Sequence, residues 1–305
     1  MRVAVTGGCG FIGSHVVDHL VADGHEVSVI DVGGAWRNPA VRYHDADLFD
    51  AGALADAVAG AEAVFHLAGA ADVNEVAADP VRAVRLNVEG TARVLEAARQ
   101  TGTSRVLLAS TVWVYGATAG EGERTEAAPV QVSRAGHVYV ATKLAAEMLM
   151  HSYREMYGQH FTILRYGIPY GPRMRDALVV ARFVAAARQG APITIAGTGE
   201  QQRNYVYVED LADAHVRALA PAAADQTLAL EGGTPVSVRE IAETVCDLVA
   251  PVPVEYVPAR AADYAGAAIS GSLAKEVLDW APVTPFSAGV RRYLDWLDAM
   301  AARSP

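Results

Sequence analysis

The sequence predicts an α/β fold in which a doubly wound parallel sheet carries a smaller C-terminal α/β lobe. Three observations support this fold class. In the N-terminal half, short apolar runs rich in β-branched residues alternate with longer segments of helical periodicity. A glycine-rich stretch follows the first of these runs directly. After residue 167 the alternation loosens, and short apolar runs lie between amphipathic segments.

The N-terminal half reads as a series of β-α-β units. One predicted helix begins near Phe11, and two more cover about residues 53–58 and 81–99. The predicted strands are RVAVT, VSVID, AVFHLA and RVLLAST. Their central residues are mostly apolar, as strands are when helices cover both faces of a parallel sheet. The pattern therefore favours helices on both sides of one sheet.

The C-terminal half contains short predicted strands in PITIAG, QTLALEGG and VEYVPAR. Residues 237–249 predict a helix, because Ser237 is a suitable N-cap, Glu240 follows three residues later and apolar residues recur at helical spacing. We expect the chain to return to the main sheet around residues 204–219. The expected boundaries are 1–166 with about 204–232 for the main domain, and about 167–203 with 233–305 for the smaller lobe.

The composition excludes several classes of protein. The 305 residues are 52% hydrophobic, and 35 acidic against 25 basic residues give a formal net charge of −10 without a basic face for nucleic acid. No segment approaches the roughly 20 apolar residues of a membrane span, and the run at residues 3–5 is too short for a signal peptide. Cys9 and Cys246 lack the spacing of a disulfide framework or metal site. We expect a cytoplasmic protein without metal, nucleic-acid or membrane partners.

The glycine-rich stretch TGGCGFIG, residues 6–13, joins the first strand to the first helix. Gly7, Gly10 and Gly13 allow a tight turn, close approach of a pyrophosphate and close packing of the helix on the strand. The N-terminus of the helix offers unpaired N–H groups to the anion. This arrangement indicates a Rossmann-type dinucleotide site, and the larger domain is accordingly the expected dinucleotide-binding domain.

The second strand ends in Asp31, at the position where a carboxylate accepts hydrogen bonds from both ribose hydroxyls. A carboxylate there repels a 2′-phosphate, so Asp31 favours NAD over NADP as the cofactor. Arg37 lies close enough in sequence to leave NADP as an alternative.

The motifs together resemble the extended short-chain dehydrogenase/reductase family, in particular its NAD-dependent epimerase/dehydratase branch. The resemblance runs through nearly the whole chain in order, so it is far more specific than any single motif. Beyond the glycine-rich turn it rests on DADL at 45–48, FHLAGA at 65–70, NVEGT at 87–91, STVWVYG at 110–116, YVATK at 139–143, LRYGIPYGPR at 164–173, RNYVYVEDLA at 203–212 and DWAP at 279–282.

The resemblance implies a set of cofactor-binding residues. Asp47 and Leu48 would flank the adenine, and the 67–70 loop would run beside the phosphates and ribose. The implied cofactor residues are Gly7, Gly10, Phe11, Ile12, Gly13, Asp31, Asp47, Leu48, Leu67, Ala68, Gly69, Asn87, Tyr139, Lys143 and Tyr166. The family also suggests a homodimer through paired helices that include residues 81–99 and 137–157.

Tyr139 and Lys143 are four residues apart, which places them on the same face of a helix. A phenol has an ordinary pKa near 10, and a neighbouring ammonium together with a positive nicotinamide ring favours its phenolate. The pair is therefore a candidate catalytic base and its electrostatic partner.

Thr111 lies at the carboxyl end of a predicted strand, where an open α/β sheet places its ligands. Its hydroxyl can hydrogen-bond both the substrate oxygen and the tyrosine, and the family pattern selects Thr111 over Ser110 as the third catalytic residue. Thr111 and Tyr139 would then also contact substrate. Arg203 and Arg260 match family positions that grip the diphosphate of a nucleotide sugar; surface salt bridges are the alternative for each.

Two departures from the family pattern fall at the substrate. Ile168 replaces a common asparagine that contacts substrate, and His137 stands in the sequence HVY where the family has SPY. His137 is either an extra acid/base group or, as we expect, a cap of the following helix. We interpret Tyr166 and Tyr170 as packing residues, not sugar contacts. The departures at Ile168 and His137 leave a deoxysugar, a uronic acid or another nucleotide open as the substrate.

The expected reaction follows from the catalytic residues of related enzymes that this chain does not have. Related dehydratases carry an Asp-Glu pair, and related decarboxylases a glutamate, in the stretch where this chain has Val112 and Trp113. What remains is NAD-dependent 4-epimerisation of a nucleotide sugar, a UDP- or TDP-hexose, through a transient 4-ketone. A nucleotide-sugar dehydrogenase or ketoreductase needs the same residues and stays open. A non-catalytic dinucleotide-sensing regulator is a further alternative.

Overall fold

The computed structural model describes residues 1–33, 38–117, 124–130, 132–259 and 269–303. The strands are β1 (Arg2–Thr6), β2 (Glu26–Asp31), β3 (Arg42–Asp45), β4 (Ala63–His66), β5 (Arg105–Thr111), β6 (His160–Tyr166), β7 (Ile168–Tyr170), β8 (Ile193–Ala196), β9 (Gln202–Tyr207), β10 (Gln226–Leu230), β11 (Pro235–Ser237) and β12 (Val254–Val257). The helices are α1 (Phe11–Ala22), α2 (Ala51–Val58), α3 (Val73–Ala78), α4 (Pro80–Val84), α5 (Gly90–Thr101), α6 (Val138–Tyr157), α7 (Val179–Arg188), α8 (Val208–Arg217), α9 (Val238–Leu248), α10 (Ser272–Leu278) and α11 (Phe286–Ala301).

Seven strands form the main sheet, in the order β10-β6-β5-β4-β1-β2-β3. Every neighbouring pair is parallel. The order reverses beside β1, because the chain moves outward through β2 and β3 on one side and through β4 to β6 on the other. Ligands of open α/β sheets bind at the carboxyl edge beside such a reversal. The predicted doubly wound fold is confirmed.

The two faces of the main sheet bury separate hydrophobic clusters. Val3 and Val5 of β1 pack with α1, α8 and α10 on one face. Ala4, between them, packs with α2, α5 and α6 on the other face. Successive side chains of a strand point to opposite faces, so an uninterrupted apolar strand requires helices on both sides. The prediction from RVAVT is confirmed at this level of detail.

The smaller lobe contains the remaining strands. β7, β9 and β11 form a three-stranded sheet, while β8 and β12 form a two-stranded parallel one. A third hydrophobic cluster joins them to α7, α9 and α11. The helix predicted at residues 237–249 is α9, where the Ser237 side chain and Glu240 form the expected reciprocal capping box.

The return of the chain to the main domain differs from the expectation for residues 204–219. β9 pairs with β7 and β11 instead of the main sheet. α8 packs into the cluster around α1, and β10 then joins the sheet beside β6. β9 is short, and its sequence pattern would fit a strand in either sheet. The pattern therefore did not indicate which sheet β9 joins. The domain boundaries remain a prediction.

The predicted helix at residues 81–99 is also interrupted. A π-helical turn over Arg85–Glu89 separates α4 from α5. Asn87 lies in this turn, and its side-chain amide bonds the backbone of Ala70 in both directions, at 2.7 and 2.9 Å, and the Thr142 hydroxyl at 3.0 Å. Single π turns inside helices are frequent at functional sites. Here the turn directs Asn87 toward the loop that follows β4.

Candidate active site

The glycine-rich turn has the backbone geometry that its sequence predicts. Gly7 has a left-handed φ of +72°, and a Cβ added to Gly13 would lie 2.1 Å from the carbonyl oxygen of Gly7. Only glycine fits both positions. α1 begins at Phe11, and its N-cap Gly10 supplies no side chain to bond the first N–H groups. The turn therefore leaves backbone donors for an anion, and it fits the pyrophosphate of a dinucleotide.

Asp31 ends β2 beside this turn. Its carboxylate accepts hydrogen bonds from the backbone N–H groups of Cys9 and Val32, each at 2.9 Å. Asp31 thus ties the glycine-rich turn to the second strand as well as offering a carboxylate where a ribose is expected. Arg37, the residue that left NADP open, lies outside the described residues.

A cavity of about 600 Å³ lies at the carboxyl edge of the main sheet; we call it the central cavity. It brings together most of the residues predicted for cofactor and substrate. These are Gly7, Gly10, Phe11, Ile12, Gly13, Leu67, Gly69, Thr111, Tyr139, Lys143, Tyr166 and Arg203.

Some predicted cofactor residues do not line the central cavity. Ala68 packs against Gly7, where an added Cβ would approach its nitrogen to 2.7 Å. The Leu48 side chain is buried in a hydrophobic cluster, whereas Asp47 is exposed and accepts a hydrogen bond from the N–H of Phe49. The Asn87 amide bonds the loop behind Gly69 instead of facing the cavity. Their contact with a cofactor stays a prediction.

The three predicted catalytic residues come from two elements. Tyr139 and Lys143 lie one turn apart near the N-terminus of α6, and Thr111 ends β5. Tyr139 is only 9% and Lys143 only 8% exposed. The Thr111 hydroxyl is close enough to the Tyr139 phenol to lower its pKa, and it accepts from the N–H of Trp113 at 3.2 Å. The Trp113 ring packs edge-on against the Tyr139 ring, with centroids 6.2 Å apart. These contacts fix the phenol at the cavity wall.

Burial sets the electrostatics of this group. It raises the pKa of the Tyr139 phenol to about 12, although the bond to Thr111 and the positive charge of Arg175 act in the opposite direction. It lowers the pKa of the Lys143 ammonium to about 8, against the influence of the Glu147 carboxylate. Lys143 donates from Nζ to the carbonyl oxygen of Ala109 at 3.0 Å. A site with strongly perturbed acid and base groups in one cavity is a candidate for proton transfer.

The two predicted diphosphate ligands have different outcomes. Arg203, on β9, lines the central cavity, and its guanidinium also donates to the carbonyl oxygen of Gln202. Arg260 lies outside the described residues. Arg175 and Arg182, which were not predicted, also line the cavity. The position of Arg175 two residues after the LRYGIPYGPR motif was the available signal.

The residues at which the chain departs from the family pattern have clear positions. His137 is the N-cap of α6, and its Nδ1 accepts the N–H of Tyr139 at 3.0 Å, so the capping interpretation is confirmed. Ile168 lines the central cavity. Tyr170 is a packing residue and donates to the carbonyl oxygen of Phe286. The Tyr166 hydroxyl bonds His215 Nε2 at 2.6 Å beneath the cavity, although other Tyr166 atoms line it.

Across the described ranges, no group of three or more His, Cys, Asp and Glu side chains is arranged to hold a metal ion. The same ranges contain no helix with the length and apolarity of a membrane span.

Comparison with known proteins identifies the family. The model of the NAD dependent epimerase/dehydratase family matches residues 3–229. A UDP-glucose 4-epimerase of Mycolicibacterium smegmatis is 34% identical over 313 residues, covering 97% of this chain and 98% of the relative. UDP-glucuronic acid decarboxylase 6 of Arabidopsis thaliana is 33% identical over 306 residues, covering 95% of this chain and 87% of the relative.

Among solved structures, a UDP-glucose 4-epimerase of Thermus thermophilus in complex with NAD superposes with a TM-score of 0.88 and 32% identity. The match covers 98% of this chain and 99% of the other. Fold, motifs and similarity agree along nearly the whole length. The chain therefore belongs to the NAD dependent epimerase/dehydratase family of extended short-chain dehydrogenases/reductases.

Proposed function

We propose that this protein is a nucleotide-sugar 4-epimerase that uses NAD to oxidise the 4-hydroxyl of a UDP- or TDP-hexose and to reduce the resulting ketone from its other face. The observation that carries the proposal is the convergence of Thr111, Tyr139 and Lys143 on the cavity that also contains the glycine-rich turn. A proton acceptor and a dinucleotide site thus share one space. The smaller lobe would bind the nucleotide through Arg203 and Arg260.

Bound NAD supplies the hydride acceptor and donor and, when oxidised, a positive charge beside the phenol. The glycine-rich turn and Asp31 would hold its pyrophosphate and ribose. Tyr139 takes the proton of the 4-hydroxyl in the oxidation and returns it in the reduction. Thr111 orients the substrate oxygen and the phenol. With a pKa of about 8, Lys143 is about 90% protonated at pH 7 and favours the phenolate.

The wall of the central cavity supports epimerisation over elimination. Trp113 lines the cavity and packs on Tyr139, and Val112 is buried in a hydrophobic cluster. Neither side chain transfers a proton. Dehydration of the sugar requires an acid and a base at this place, so the stretch after Thr111 argues against that reaction.

The test is a panel of UDP-, TDP- and GDP-hexoses, including uronic acids because Arg175 brings positive charge close to the phenol. Each sugar carries deuterium at C4, and products are separated by chromatography. The proposal expects interconversion of C4 epimers with the label retained at C4. Accumulation of a ketone with labelled, reduced cofactor would instead identify a dehydrogenase. Absence of turnover with every sugar, in protein that binds NAD, would favour the regulator.

A homodimer is part of the same proposal. Val81 and Val84 on α4 and Met148 and Met156 on α6 are exposed apolar side chains on helices expected at the interface. Light scattering after size-exclusion chromatography should give twice the 32.1 kDa chain mass.

A further inference from the structure

A buried charged cluster lies behind the catalytic residues. Glu147 of α6 and Arg165 of β6 are only 5% and 6% exposed. Arg165 donates from Nε to Glu147 Oε1 at 3.0 Å and from Nη2 to Oε2 at 2.6 Å. The Ser110 hydroxyl also donates to Oε1. This two-point guanidinium–carboxylate geometry is the strong and specific form of an ion pair.

Each member of the cluster is adjacent to a candidate site residue. Ser110 precedes Thr111 in β5, and Arg165 precedes Tyr166 in β6; the two pairs face each other in the register of the sheet. Glu147 follows Lys143 by four residues, one helical turn along the same face of α6. The hydrogen bonds therefore join the three elements that carry Thr111, Lys143 and Tyr166, and they fix α6 against the sheet edge.

The charge of Glu147 also acts on Lys143. The ammonium is buried and donates to a neutral carbonyl oxygen, while the Glu147 carboxylate counteracts the effect of burial. Tyr139 is one turn away on the same helix, Arg165 bonds Glu147, and His66 at the end of β4 interacts electrostatically with Lys143. Burial lowers the pKa of His66 to about 3, so its ring is neutral near pH 7 and contributes no charge.

We infer that Glu147, held by Ser110 and Arg165, is a positioning residue that keeps Lys143 in its ammonium form and holds the catalytic elements in register. Its consequence for turnover rests on the proposed function, but its effect on Lys143 does not. Glu147 contacts neither substrate nor cofactor in this scheme; it acts through Lys143.

The sequence offers a direct measurement, because Lys143 and the exposed Lys275 are its two lysines. NMR of the full chain labelled with ¹³C at lysine Cε gives two signals, of which Lys275 is the internal reference. We expect Glu147→Gln to move the titration midpoint of Lys143 down by at least half a pH unit. Glu147→Asp keeps the charge and should leave the Lys143 midpoint close to its wild-type value. Glu96→Gln, at an exposed ion pair with Arg99, is the matched control and should leave the midpoint unchanged.

Glu147→Gln leaves Arg165 buried without its partner and can prevent folding. In that case the same titration is measured on the double variant Glu147→Gln/Arg165→Met. In folded variants, the alkaline limb of the turnover profile should move down with Lys143. An unchanged Lys143 midpoint, or equal midpoints in the Gln and Asp variants, would overturn the inference. A shifted midpoint in a protein without turnover on any sugar would support it and overturn only the proposed function.

Discussion

Replacement of Tyr139 by Phe separates the proposed chemistry from packing. The ring keeps its edge-on contact with Trp113, and the change deletes a hydroxyl that can form a hydrogen bond with Thr111. Loss of one such hydrogen bond costs about 1 kcal/mol of unfolding free energy. In a chain of 305 residues, with an unfolding entropy of about 2.1 cal/mol/K per residue, that lowers Tm by about 1.5 °C. Loss of a positioned acid/base group, by contrast, lowers turnover by about 10²–10⁴-fold.

In energetic terms, the expected increase in the activation barrier is about 2.7–5.5 kcal/mol, several times the expected loss of stability. The assay is turnover of the nucleotide sugar found in the panel, with thermal melting and NAD binding measured on the same preparation. Tyr153→Phe is the matched control, because its hydroxyl is on the same helix and lies 3.5 Å from Glu96 outside the cavity. Turnover of Tyr139→Phe within threefold of wild type, in folded protein, would refute the assignment.

Three further outcomes follow from the site. Gly13→Ala forces a Cβ to within 2.1 Å of the Gly7 carbonyl oxygen, so we expect the free energy of unfolding to fall by about 1–3 kcal/mol in thermal or urea denaturation. NAD binding, measured by calorimetry, should also become much weaker. Unchanged binding would contradict the proposed role of the turn. Arg203→Ala should raise KM for the nucleotide sugar at least tenfold, about 1.4 kcal/mol, whereas Arg188→Ala, which breaks a surface ion pair with Asp298, should leave KM unchanged. The Asp31 carboxylate should make NAD bind at least tenfold more tightly than NADP, about 1.4 kcal/mol; equal calorimetric affinities would remove that argument.

Local signals predicted the elements that depend on local physics. Ser237 and Glu240 bond each other's backbone within one helical turn, so their spacing alone indicated the start of α9. The four-residue spacing of Tyr139 and Lys143 likewise placed both on one face of α6, and both line the central cavity. The doubly wound arrangement of the main sheet was predicted because its apolar strands require helices packed on both faces.

Long-range pairs escaped the sequence for the opposite reason. Glu147 and Arg165 lie 18 residues apart on different elements, and Tyr166 bonds His215 across 49 residues. Nothing in either local pattern specifies the partner. The sequence shows that Glu147 follows Lys143 by four residues. Without knowledge of its partner Arg165, however, this position is indistinguishable from a solvent-exposed glutamate on a helix. Arg175, in the loop after β7, lines the cavity, and its position two residues after the LRYGIPYGPR motif was the one local signal for it.

The π-helical turn at Arg85–Glu89 has a consequence for how the chain tolerates insertions and deletions. Such a turn carries one residue more than the α-helical path it replaces. Deletion of one residue here would let α4 and α5 merge into a regular helix, but it would rotate everything on one side of the deletion by about 100°. Asn87 would then leave the Ala70 backbone, and two partly buried backbone groups would lose their partners. A length change that improves helix geometry should thus be rejected at this position, whereas the exposed end of α5 near Gly102 should accept one.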